Sequence, residues 1–147
     1  MASRRRFLRA GAAGALVGLA GCSAVPAPRP MLDLSVSNAR DTAVDLDVRF
    51  LRPDVAERSE ALVYRNSVEV PPGTGSDDPW TVEDVASDRP YRIEVVDRGV
   101  RSSHHYHYRP DCSDDDDPYD IGVLVRLGPD GGVAFSQTTC SSDAPFL

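Results

Sequence analysis

From Leu32 onward apolar and polar residues alternate: Leu32, Leu34 and Val36 are separated by Asp33 and Ser35, and Val44, Leu46, Val48 and Phe50 by Asp45, Asp47 and Arg49. A period of two sends successive side chains to opposite faces, so each run predicts a half-buried strand with one wet face. The turn-forming residues Asn38 to Thr42 between them predict a hairpin or a short crossing between two sheets. Leu62, Tyr64, Val68 and Val70 continue the pattern, with a bulge or break predicted at Asn66 and Ser67. Pro71-Pro72-Gly73-Thr74-Gly75 stops it. Strands are predicted from Trp80 to Val85, from Tyr91 to Val96 and from Ser103 to Arg109. In a final hairpin, Ile121, Val123, Val125 and Leu127 lead into Gly128-Pro129-Asp130-Gly131-Gly132, and Val133 and Phe135 return. No segment sustains a 3.6-residue period; the stretch from Asp54 to Ala61 has room for a turn or two of helix.

About eight short strands in roughly 115 residues, punctuated by turns, predict an all-β antiparallel sandwich of about seven to eight strands. Val70-Pro71-Pro72-Gly73, a polar gap and then Tyr91-Arg92-Ile93-Glu94-Val95 resemble the pattern of secreted immunoglobulin-like domains over residues 31 to 138. The resemblance implies an immunoglobulin-like sandwich and gives Tyr91 the tyrosine-corner part. It does not extend to the inter-sheet Cys, Trp and Cys arrangement, because Trp80 precedes both Cys112 and Cys140.

Ahead of the strands the order is different. A basic stretch ends at Arg9, an apolar run follows from Ala10 to Gly21, and Cys22 comes next, which is the order of an export signal. The apolar run is too short to span a bilayer, which takes about 20 residues. Ser3-Arg4-Arg5-Arg6-Phe7-Leu8-Arg9 resembles the twin-arginine export consensus, with Arg4, Arg5, Phe7 and Leu8 as its signal residues. Leu19-Ala20-Gly21-Cys22 resembles a lipobox, which implies that the Cys22 sulfur takes the lipid and that the mature chain begins there. Residues 1–21 are then a signal peptide, 22–30 a proline-rich tether and 31–147 the sandwich domain.

Charge sharpens this picture. All 16 basic residues are Arg, against 23 acids, for a net −7. Cleavage after residue 21 removes Arg4, Arg5, Arg6 and Arg9 and no acid, leaving 12 basic against 23 acidic residues, a net −11. Twin-arginine lipoprotein signals, an Asp-rich surface and the absence of Lys together resemble secreted lipoproteins of haloarchaea. In molar salt charge repulsion is screened to a few ångströms, so such acidity needs no ligand. Nucleic acid is disfavoured as a partner, because affinity for phosphates depends on basic residues.

Three groups of residues have chemistry to weigh. With Cys22 committed to lipid, Cys112 and Cys140 remain as a pair in an oxidising compartment, and a disulfide is the expectation. It would close a loop of about 29 residues, worth on the order of 3 to 4 kcal/mol. A thiolate nucleophile or a metal pair is the alternative, though neither has CxxC spacing. His105 and His107 project to one face of a strand and His104 to the other. The pair, completed by Asp111 or by a carboxylate from Asp114 to Asp117, has the donors for Zn or Cu, while a surface role is the competing reading. The Asp114 to Asp117 run lacks the Asp-x-Asp-x-Asp-Gly order and bidentate Glu of an EF-hand. No Gly-x-Ser-x-Gly, His-Glu-x-x-His, Gly-x-Gly-x-x-Gly or phosphate-binding loop is present.

The expectation is a lipid-anchored, non-catalytic binding or structural module on the extracellular face of the cell membrane. Its partners are the membrane, through the anchor, and a surface protein or ligand; no cofactor is expected. The alternatives are a transition-metal-binding protein using His105 and His107, and a small extracellular hydrolase.

Overall fold

Each alternating run becomes a strand in the computed structural model, which describes residues 29–111 and 121–138. The order is β1 (Met31–Asn38), β2 (Val44–Leu51), α1 (Arg58–Ala61), β3 (Leu62–Val70), β4 (Trp80–Ser87), β5 (Tyr91–Asp97), β6 (Ser102–Tyr108), β7 (Gly122–Leu127) and β8 (Val133–Gln137). The strands form two four-stranded sheets, ordered β4-β1-β7-β8 and β3-β2-β5-β6. Residues 38 to 42 therefore make the crossing between sheets and not a hairpin.

The protein is all-β and its sheets pack as a sandwich, as the alternation predicts. One pairing departs from the antiparallel expectation, because β1 and β7 run parallel, with Leu34 beside Val123 and Val36 beside Val125. The strand order also differs from constant-type immunoglobulin domains, where the first, second, fifth and fourth strands share a sheet. The likeness lies in the two packed sheets and in Tyr91, whose hydroxyl donates to the Ser87 carbonyl at 3.0 Å.

One apolar cluster fills the space between the sheets. Leu32, Leu34, Val36, Val123, Val125 and Leu127 come from one sheet and Leu46, Val48, Phe50, Ile93 and Val95 from the other. Phe50 meets Tyr64 edge-on at 5.4 Å and Tyr91 at 5.6 Å between ring centroids. At the β6 and β8 edges Tyr106 stacks on Phe135 at 5.4 Å, and its hydroxyl donates to Gln137 Oε1.

Two irregularities interrupt the ladders. Phe50 faces Tyr64 while Leu51 faces Leu62, so Val63 is the extra residue of a bulge and stands 46% exposed. The break predicted at Asn66 and Ser67 is not found. Both pair in register with Val48 and Asp47, and the Ser67 hydroxyl donates to the Asp47 carboxylate on the outer face. Their polarity reflects an edge strand, not a disrupted one. In the β1–β4 pair Leu32 faces Ala86 and Leu34 faces Val82, which loops out the residues between. Asp84 there has a left-handed φ of 56°, which a short Asp side chain tolerates, and its amide donates to the Asp33 carboxylate at 2.8 Å.

A polar corner closes one end. The fully buried Asn38 donates through its side-chain amide to the Thr42, Pro71 and Val70 carbonyls. Arg40, two residues on, reaches both sheets: Nη1 donates to Asp97 Oδ2 at 2.7 Å at the end of β5, and Nε donates to the Gly128 carbonyl after β7 at 3.2 Å. Burial pushes the Asp97 carboxyl up, but Arg40 and the Val100 and Gly99 amides outweigh it and hold it below its ordinary range. A carboxyl depressed in the folded state stabilises above its unfolded value, near pH 3.9, and loses that contribution as pH falls through its folded value.

Asp97→Ala is expected to cost up to about 3 kcal/mol at pH 7, since it takes the carboxylate from a partly buried guanidinium that keeps its bonds to the Gly128 and Gly131 carbonyls. In urea denaturation repeated from pH 7 to pH 2, the acid-induced loss of stability should lessen by about one proton's worth in the variant. An unchanged acid dependence would show that Asp97 titrates normally.

Candidate functional site

The outer face of the β3-β2-β5-β6 sheet gathers most of the chemistry, because its strands alternate and their outward positions lie in register. One row across it is Arg65, Arg49, Glu94 and His105; the next is Leu62, Leu51, Arg92 and His107. A third, Ser67, Asp47, Val96 and Ser103, leads toward an acidic end where Arg98 approaches Asp45 at 3.5 Å and Asp47 at 3.8 Å. These last pairs are half-exposed and add little stability. The Ser67 hydroxyl is the main influence holding the Asp47 carboxyl below its usual range, against some burial and with help from Arg98, Arg49 and Arg65.

Glu94 organises the other end. The segment between β2 and β3 folds back through a hydrogen bond from the Arg52 amide to the Ala61 carbonyl, 2.8 Å, and carries α1 over the sheet. From α1, Arg58 grips Glu94 with both terminal nitrogens, at 3.2 and 2.5 Å, while Arg92 Nε lies 3.3 Å away. This forked contact leaves Glu94 only 8% exposed on a face that is otherwise wet. The Arg58 hydrogen bond dominates in holding its carboxyl below the ordinary range; burial opposes, and the charges of Arg58, Arg92 and Arg49 add to the lowering.

His105 and His107 are brought together as the period-two reading requires, exposed and with ring centroids 5.7 Å apart at 88°. His104 lies on the opposite face, half-buried, with Nε2 3.3 Å from Ser102 Oγ. Asp111 acts electrostatically on Tyr106 and Tyr108, the face away from the histidine pair. Burial first, and then the hydrogen bond to Asp88, raises the Tyr108 hydroxyl far above its usual range. Among the described residues no group of three His, Cys, Asp or Glu stands close enough to hold a metal ion. The partners across the strand from His107 and His105 are Arg92 and the already gripped Glu94.

Cys22, Arg4, Arg5, Phe7, Leu8, Cys112, Cys140 and the run Asp114 to Asp117 lie outside the described residues. No helix among the described residues is long and apolar enough to cross a membrane. Neither the cleft lined by Asp33, Gly122 and Gln137 nor the one lined by Arg49, Leu51 and Arg65 has a histidine in its wall. The four arginines that set the charge of the outer face, Arg49, Arg58, Arg65 and Arg92, went unread in the sequence. For Arg49, Arg65 and Arg92 the available signal was Arg at outward strand positions; Arg58, on α1, had none. The sequence matches no known protein-family model and no curated protein.

Titrating metal-stripped full-length protein with Cu²⁺ or Zn²⁺ by calorimetry should give the wild type no more heat than the His105→Ala/His107→Ala double variant. Stoichiometric heat abolished by the double substitution would instead establish the histidine pair as a metal site.

Proposed function

We propose that the chain is exported by the twin-arginine route, anchored through lipid on Cys22 at the extracellular face of the cell membrane, and serves there as a non-catalytic binding module. The observation that supports a binding role is the cleft on the outer face, where Arg49, Arg58 and Arg65 meet the apolar surface of Leu51 and Leu62. The three histidines lie apart from that cleft on β6, at the edge of the sheet. Export and anchoring rest on the two adjoining motifs, Ser3 to Arg9 and Leu19 to Cys22. The acidic exterior suits a surface exposed to concentrated salt, where carboxylates hold water without adding apolar stem.

Membrane fractionation of the native host tests the location. Cys22→Ser should release the chain from the membrane or leave it uncleaved, and Arg4→Lys combined with Arg5→Lys should retain it in the cytoplasm. Unchanged processing and membrane retention in both variants would overturn the assignment.

A further inference from the structure

The outer face holds a concentration of positive charge that the acidity of the whole chain conceals. Arg49 and Arg65 sit directly opposite each other across β2 and β3. Like charges so placed repel and destabilise the pair. Among the described residues Arg40, Arg58, Arg92 and Arg98 each have a carboxylate within ion-pair distance, but Arg49 and Arg65 have none. Both line a cleft of about 390 Å³ between the sheet and the residues around α1. Arg58 enters from the opposite wall and Leu51 and Leu62 supply an apolar surface. The bulge at Val63 builds that surface by bringing Leu62 opposite Leu51. Glu57 also lines the cleft and accepts a hydrogen bond from Ser59, and Arg58 is already paired with Glu94, so Arg49 and Arg65 are the cleft's guanidinium groups without an ion-pair partner among the described residues.

From this geometry we infer that the cleft binds a small organic oxyanion, whose charged end lies between Arg49 and Arg65 and whose carbon skeleton rests on Leu51 and Leu62. Guanidinium groups present paired donors that match the oxygens of a carboxylate, sulfate or phosphate ester. An anion between two opposed arginines turns a repulsive cross-strand pair into an attractive bridge. The cleft has room for a ligand at the small end of the usual range of about 300 to 1,000 Å³. The inference deepens the binding-module reading and rests on it.

The test follows the arginine Nε–Hε signals by nuclear magnetic resonance while full-length protein is titrated with phenyl phosphate, benzoate or the uncharged benzyl alcohol. Saturable shifts of Arg49, Arg58 and Arg65 are expected with one or both anions and not with the alcohol. The phosphate and carboxylate arms tell which oxyanion is preferred. Arg49→Gln with Arg65→Gln should weaken binding about tenfold or more. Arg126→Gln, which removes the same kind of charge from the other sheet, should leave affinity within about twofold, since exposed charges that far apart are screened. Arg65→Lys keeps the charge but loses the fork, and should weaken binding even if the double variant fails to fold.

No saturable shift, an equal response to benzyl alcohol, or an equal loss in Arg126→Gln would each overturn the inference. Such a failure leaves location untouched, because membrane retention of the Cys22→Ser variant is scored separately. Binding by a chain that fractionates to the cytoplasm would instead uphold the cleft and overturn the location.

Discussion

Two sheets exclude water from between them only where every second residue of their strands is apolar, and the central strands of this protein meet that demand almost without interruption. Leu32, Leu34 and Val36 on β1, Val123, Val125 and Leu127 on β7, Leu46, Val48 and Phe50 on β2, and Ile93 and Val95 on β5 are all 1% exposed or less. A one-residue slip in any of these strands would turn its apolar set to solvent and its Asp, Ser or Arg residues inward. Register is therefore fixed by burial. Everything on the outer face inherits that register, including the rows that place Arg65 beside Arg49 and Glu94 beside His105.

Burial does not settle how the ends of the sandwich are closed. The Asn38, Arg40 and Asp97 corner does so with polar groups whose partners come from both sheets. A buried ion pair of this sort adds little against an apolar substitute, yet breaking it by removing one partner is costly. Its contribution is to orientation: the guanidinium fits only when the end of β5 and the turn after β7 are both in place. At the opposite edge Gln137 accepts from Tyr106 and donates to the Arg109 carbonyl at 2.7 Å, holding β8 to the end of β6.

The strands were legible because alternation is a local signal, and β1, β2, β5 and β7 carry it cleanly. Which strands become neighbours was not, since a period of two names the buried face but not the partner beside it; hence the parallel β1–β7 pair went unforeseen. The bulge was expected at Asn66 and Ser67, where polar residues interrupt an apolar run, and it formed at Val63, where the chain leaves α1. The histidine pair was legible from adjacency in sequence. The arginine cleft was not, because Arg49, Arg58 and Arg65 converge only after β2 and β3 pair, and a net charge of −7 does not show where the 16 arginines gather. Net charge describes long-range repulsion; a guanidinium within contact distance of a ligand oxygen acts over a few ångströms.

The molecule thus divides into an interior that holds four doubly paired strands together and an outer face whose residues are not needed for that core. Native-state hydrogen exchange measures that division most directly. It should show the amides of β1, β2, β5 and β7 as the slowest set, exchanging together through global unfolding, with those of β3, β4, β6 and β8 opening earlier. If β1 and β7 exchanged at different free energies, or if an edge strand outlasted them, the two sheets would not share the single core described.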